Sequence, residues 1–257
     1  MIGFFIKKSF FDGWDNLFSL ILLNLGFVAV VALGFVLPAS LGAPAWLSLV
    51  LGALALAAIA VWLSACVIAL KGISDFGSFH LGELWGFVKQ GLAPGLQVGA
   101  LIAAGYFVIS IGLPFYLSLG GMLGALAAGV IVWSAVLLLL AIQYYIPLRA
   151  RLGGGLRKNL RKSFLIFFDN PGFSLFLFIY SAINLALSGV LAFLVPGFAG
   201  LALAQNVALR LRLYKYDWIE EHPEAKRSQV PWDDLLEEDR DLVGKRTLKG
   251  MFFPWKE

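Results

Sequence analysis

DNPGFSLFLFIYSAINLALSGVLAFLVPGFAGLALAQNVALRLR, residues 169–212, decides the architecture. It opens on a helix breaker, Asp169-Asn170-Pro171-Gly172, and charge then disappears until Arg210. An apolar run, Phe173 to Val195, is turned by Pro196-Gly197 into a second run, Phe198 to Leu209, which closes on Arg210-Leu211-Arg212. About 20 apolar residues at 1.5 Å rise cross a hydrocarbon core about 30 Å thick. The stretch therefore reads as a membrane hairpin that starts and finishes on the same side.

Two looser copies precede it. No Lys, Arg, Asp or Glu lies between Asn16 and Leu70, or between Gln90 and Leu148. A charge at mid-bilayer costs about 2.5–3.5 kcal/mol even on the lenient insertion scale, and these windows avoid it. The whole chain of 257 residues is 60% hydrophobic and only 14% charged, well below the quarter or so usual for a soluble domain. The expected fold is an all-α polytopic bundle of six transmembrane helices in three hairpins. The spans fall near 17–37, 45–70, 96–117, 122–148, 173–195 and 198–213, followed by a soluble tail, 214–257.

Between the spans lie segments suited to a membrane surface. Met1–Asn16 mixes Lys7, Lys8, Asp12 and Asp15 with Phe and Trp at headgroup level. A cleavable signal peptide competes for this region, but the h-region is too long and its lead-in is acidic and aromatic. In 71–95, Leu81, Leu84, Trp85, Val88 and Leu92 share a helical face, and Ala93-Pro94-Gly95 is expected to end that short surface helix. The most basic segment carries Arg149, Arg151, Arg157, Lys158, Arg161 and Lys162. Leu156, Leu160, Phe164, Phe167 and Phe168 lie opposite them, as in an interfacial helix on anionic headgroups or a partner surface. Pinned between spans, these charges do not suit nucleic acid. In the tail, Pro231 could open a short helix through Val243, with Trp232, Leu235, Leu236 and Leu242 as its apolar positions. The stretch Lys245–Lys256 is too apolar to hang free and is expected to dock back onto the membrane surface or the basic amphipathic helix.

Small residues recur at helical spacing at Ala53, Ala57, Ala60 and Ser64, and at Gly120, Gly124 and Ala128, which lets helices approach closely. Polar residues inside the spans are few. Asn24 with Ser181, Asn184 and Ser188 are candidates either for interhelical contacts or for a polar path, and Gln205 and Asn206 sit low on the last span.

Orientation follows from charge. With the amino terminus in the cytoplasm, the loops 71–95 and 149–168 and the tail are inside. All 20 Lys and Arg residues are then cytoplasmic, while the outer turns near Pro38, Gly120 and Pro196 carry no charge. The hairpins also share landmarks: a far-side proline (Pro38, Pro114, Pro196) and a basic exit at Leu70-Lys71, Leu148-Arg149 and Leu209-Arg210. A pseudo-threefold repeat about the membrane normal explains this. So does the plain requirement that any cytoplasm-in hairpin have a turn and a basic exit.

Trp14-Asp15-Asn16-Leu17, the Leu37-Pro38-Ala39 turn, Tyr145-Ile146-Pro147-Leu148, and Leu160-Arg161-Lys162-Ser163-Phe164 leading into Asn170-Pro171 resemble the YesL-like bacterial membrane proteins over about residues 10–213. The resemblance implies a multi-pass inner-membrane protein of uncharacterised activity, loosely associated with carbohydrate uptake. It brings no catalytic motif. Mitochondrial carriers also have three two-span repeats, but no acidic residue follows Pro38, Pro114 or Pro196 as their signature requires.

Chemistry within the membrane needs ionisable groups or a metal at depth. The spans have none, Cys66 stands alone, and the two histidines, His80 and His222, are far apart, so no catalytic residue, metal or cofactor is expected. The reading is an accessory or scaffolding component of a membrane system, with the lipid bilayer as partner; the resemblance alone implies a carbohydrate-uptake complex, with a transporter subunit as companion, as the specific version. The alternative is a stand-alone transporter of a small neutral solute. A wide polar cavity between the spans would favour the alternative.

Overall fold

The computed structural model describes residues 1–225 and 229–246 and is helical, with no strand among them. In chain order the helices are α1 (Ile2–Asp15), α2 (Leu17–Ser40), α3 (Ala45–Ser74), α4 (Leu81–Ser118), α5 (Gly121–Ile142), α6 (Tyr145–Leu152), α7 (Leu156–Asp169), α8 (Pro171–Val190), α9 (Gly197–Glu221), α10 (Trp232–Leu235) and α11 (Glu237–Val243). Among the described residues, five helices are long and apolar enough to cross a membrane: α2, α3, α4, α5 continued by α6, and α8. The protein is membrane-embedded.

The second limb of the deciding hairpin, α9, is not one of the five. It is instead the axis of the bundle, packed by α1, α2, α3 and α8. Ala199, Ala202, Leu203, Asn206, Val207, Ala208, Leu209 and Leu211 are all buried along it. A helix enclosed by protein needs small residues for close approach rather than a greasy lipid face. Its modest hydropathy follows from its central position. It also runs on to Glu221, so the expected boundary at 213/214 falls inside a continuous helix.

α4 departs most from expectation. Pro94 does not end a surface helix; it is buried within one helix that runs from Leu81 to Ser118. An interior proline forfeits a backbone bond and crowds the preceding turn. Here that turn is held against α3 by glycines. A Cβ on Gly95 would lie 2.6 Å from the Ala60 carbonyl oxygen, and one on Gly91 would lie 2.8 Å from the Ala65 nitrogen. Gly99 meets the Ala60 methyl in the same row. The spacing Gly91, Gly95, Gly99 is the small-xxx-small pattern of close membrane helix pairs. Tertiary contact has overridden the local breaker.

Two other prolines are accommodated by widening the helix. A five-residue π turn, Ala32–Val36, precedes Leu37-Pro38, and another, Val108–Gly112, precedes Leu113-Pro114. A wide turn moves the carbonyl four residues back out of the pyrrolidine's way. Pro196 lies instead in an irregular turn, 191–196, so the third hairpin does not share this device.

Of the small-residue stripes, Ala60 and Ser64 face the α3 partners, Ala57 is half-buried, and Ala53 is exposed. Against α2 the close contacts use other residues: a Cβ on Gly34 would overlap that of Ala55, and Gly26 accommodates the Trp62 ring. Gly124 packs under the Tyr116 carbonyl oxygen and Ala128 is buried, whereas Gly120 forms the exposed turn with Gly121, both at positive φ.

Candidate functional site

Two places concentrate polar chemistry: a charged cluster at one end of the bundle and a cavity between its helices.

The cluster grows from the end of α3. The last turn closes with Gly77 N–H donating to the Gly72 carbonyl (2.8 Å) and Phe76 N–H to that of Ile73 (3.1 Å), which places Phe76 at φ +61. This is the Schellman position normally held by glycine. A Cβ in that conformation costs about 1–2 kcal/mol. The ring so placed lies between two cations, with Lys8 Nζ 3.3 Å from its centroid and the Arg210 guanidinium 5.1 Å away. Asp75, next to it, bridges Arg151 (2.8 Å) and Arg210 (2.9 Å), and Arg210 continues to Asp239 on α11 (2.8 Å). One carboxylate thus ties α3, α6 and α9 together, and one guanidinium extends the tie to the tail. Burial works to raise the Asp75 carboxyl, but its hydrogen bonds and the charges of Arg151 and Arg210 hold it below the ordinary range. Lys8, fully buried, pairs with Asp12 at 2.9 Å. Burial lowers the Lys8 ammonium and pushes the Asp12 carboxyl up to about 6 against the pull of Lys8.

A second knot binds the start of α8 to α9. Lys215 reaches Asp169 (2.7 Å) and the Asn170 Oδ1 (2.8 Å). Arg212 donates to the same oxygen (2.7 Å), and Asn170 Nδ2 donates to the Tyr216 hydroxyl (3.0 Å). The Arg212 guanidinium sits over Phe173, 4.1 Å from its centroid. The breaker Asp169-Asn170-Pro171 is therefore also the latch between α8 and α9.

The tail joins this end. Leu236 and Val243 are buried, Trp232 packs on the core, and Lys7 donates to the Gly244 carbonyl at 2.7 Å. Leu242, one of the apolar positions of the expected single helix, is exposed, because the helix is broken at Leu236 and restarts in a new register. Arg246 pairs with Asp15 at 2.9 Å. The rest of the stretch expected to dock, from Thr247 on, lies outside the described residues.

These pairings redraw the basic surface. Arg157, Lys158 and Arg161 on α7 are exposed, and Lys162 is half-buried. Arg149 turns back to the Gly154 carbonyl, and Arg151 is committed to Asp75. Of the expected apolar face of α7, Phe168 is exposed and Phe167 is buried, as is Ile166.

Of the span residues that are candidates for interhelical contacts or a polar path, three bond to backbone atoms. Asn24, buried in α2, organises the start of α9: its Oδ1 accepts from Ala199 N–H (2.8 Å), and its Nδ2 donates to the carbonyls of Leu194 (2.9 Å) and Pro196 (3.0 Å). Ser188 accepts from Gly197 N–H (2.8 Å), and Asn184 bonds to the Tyr180 carbonyl of its own helix. Asn206 donates to the Val67 carbonyl across the α9–α3 contact (2.8 Å). Only Ser181 of the four faces the cavity.

That cavity, about 530 Å³, lies between α3, α4, α5, α8 and α9. Its wall is hydrocarbon, including Leu56, Ile59, Val98, Phe178 and Phe198, relieved by Ser181, Gln143 and Gln205. Among the described residues, no charged side chain lines it. Sequence reasoning did not foresee that Ser181, Gln205 and Gln143, the last in the turn that follows α5, line the same cavity. Groups of three or more metal-ligating side chains are absent among the described residues. Comparison with protein families, with curated proteins and with solved structures gives no match.

Proposed function

We propose that the chain is a six-span bacterial inner-membrane protein, related to the YesL-like proteins, that serves as an accessory or scaffolding component of a membrane system. Carbohydrate uptake is the specific version suggested by the resemblance. α9 supplies the sixth span, and the charged end faces the cytoplasm with both termini, as the placement of Lys and Arg requires. The observation that carries this reading is the use made of the intramembrane polar groups. Asn24, Ser188 and Asn206 satisfy backbone atoms of neighbouring helices or turns and hold the bundle together, leaving the cavity between α3, α4, α5, α8 and α9 walled mostly by hydrocarbon. A second support is the α4–α5 hairpin. The most apolar window of α4 has none of its residues buried, so it presents a long uncharged face to lipid or to another membrane protein.

Affinity purification from native membranes, followed by mass spectrometry, tests the proposal. A stoichiometric transporter subunit is the expected companion. A preparation free of companions that moves neutral sugars in liposomes would replace this reading with the transporter one. Single cysteines at Leu41 and at His222, probed in intact cells with a membrane-impermeant maleimide, test the topology. Labelling at 41 and protection at 222 are expected.

A further inference from the structure

The cavity between α3, α4, α5, α8 and α9 has unused hydrogen-bonding capacity. The Ser181 hydroxyl is buried without a partner. Gln143 spends its amide protons on the carbonyls of Leu140 (2.8 Å) and Ser174 (2.9 Å), so its Oε1 remains as an acceptor that no described residue serves. The Gln205 side chain makes no hydrogen bond to any described residue, although its neighbour Asn206 makes two. Polar groups in a hydrocarbon environment find partners, because nothing else there replaces water. The polar groups are also not scattered. Gln143, near the end of α5, and Gln205, one turn before Arg210, lie at the charged end of the cavity; Leu56, Leu185 and Phe198 lie at the other.

We propose that this cavity is a binding site for one neutral single-chain amphiphile, a long-chain or isoprenoid alcohol in chemistry. Its hydroxyl would meet Gln205, Ser181 and Gln143 Oε1, and its chain would run toward Phe198. The volume falls within the range of roughly 300–1,000 Å³ typical of ligand sites. A hydroxyl suits the donors and acceptors present: it donates to an amide oxygen and accepts from the Gln205 amide or the Ser181 hydroxyl. A carboxylate or phosphate head would enter a site with no cation and an acceptor already in place. A plain hydrocarbon would leave all three polar groups unserved. The inference is independent of the accessory reading, since a scaffold and a transporter could each hold such a molecule.

The test uses the full chain in liposomes with photoreactive C16 probes: a diazirine-bearing alcohol, the corresponding alkane, and the corresponding fatty acid. The alcohol is expected to label peptides of α3, α8 and α9. Ala182→Trp, which fills the cavity from an exposed position on α8, is expected to abolish that labelling, while Ala186→Trp, outside the lining, leaves it intact. Gln205→Leu is expected to weaken alcohol labelling about 2- to 12-fold, the worth of one hydrogen bond, without changing alkane labelling. Equal labelling by alcohol and alkane, insensitive to Gln205→Leu, would mean ordinary bilayer lipid fills the space and would overturn the proposal. Preferred labelling by the fatty acid would overturn it too. Should Ala182→Trp fail to fold, Leu56→Trp blocks the cavity from the opposite wall, where the residue is likewise exposed.

Discussion

Replacing Asn24 by leucine should be the most damaging neutral substitution in the first span. The shape is nearly kept, but three hydrogen bonds to the 194–199 turn are lost, at 2.8, 2.9 and 3.0 Å. Hydrogen bonds within membrane bundles average about 0.6 kcal/mol each, so the three contribute about 2 kcal/mol. The loss also strands the Ala199 N–H, one of the first-turn donors of α9, in a place water does not reach. A buried donor without a partner adds about 1–3 kcal/mol. The sum, about 3–5 kcal/mol, corresponds to a fall of about 10 °C in melting midpoint at roughly 2–4 °C per kcal/mol for a chain of this size. The assay is thermal unfolding in one fixed detergent, with Asn184→Leu as comparison. Asn184 bonds only within its own helix and is half-buried, so its loss should cost little. A shift below about 2 °C for Asn24→Leu, or equal shifts for the two variants, would refute the assignment of Asn24 as the cap of α9.

Other consequences can be checked in the same preparations. Gly197→Ala puts a Cβ 2.2 Å from Asn24 Nδ2 on a residue at φ +61, so it should destabilise strongly and combine less than additively with Asn24→Leu in a double-mutant cycle. Gly95→Leu should separate α3 from α4 and abolish monodisperse protein on gel filtration, whereas Gly86→Ala, with nothing within 4 Å, should leave it unchanged. Asp239→Asn loosens the Arg210 tie, and limited proteolysis should then cut near α10–α11 severalfold faster without unfolding the spans. Asp75 is held below its ordinary 3.8 in the folded state, so the unfolded chain binds the proton more readily. Its stabilisation is therefore present above pH 3.8 and lost as pH falls further through the folded value. Melting midpoints should drop in that window, and Asp75→Asn should flatten this part of the profile.

The sequence made the membrane body legible because charge avoidance is a hard constraint: Asn16 to Leu70 and Gln90 to Leu148 admit little else. It was less informative wherever a residue's role is set by what packs on it. Pro94 reads as a breaker, and only the meeting of Gly91 and Gly95 with the α3 backbone keeps the helix going. The signal was there as a four-residue glycine spacing, and the proline masked it. Arg151 reads as surface charge because its partner, Asp75, is 76 residues away. The modest hydropathy of α9 marks a helix enclosed by protein, which a scale built on lipid contact cannot distinguish from a weak span. Ser181 and Gln205 stand out in the sequence as polar residues inside spans, but that they line one cavity with Gln143 depends on how the helices pack.

The Asn24 contact also bears on how the protein is made. Its partners lie 170–175 residues downstream. At about 5–20 residues per second of synthesis, α2 waits roughly 9–35 s for them. During that interval an uncapped amide sits in the newly inserted first span. That span has a mean hydropathy of 2.7, the highest of the five. Such apolarity suits a helix that must carry the amide until α9 is made, so α2 is locked only after most of the chain has been synthesised.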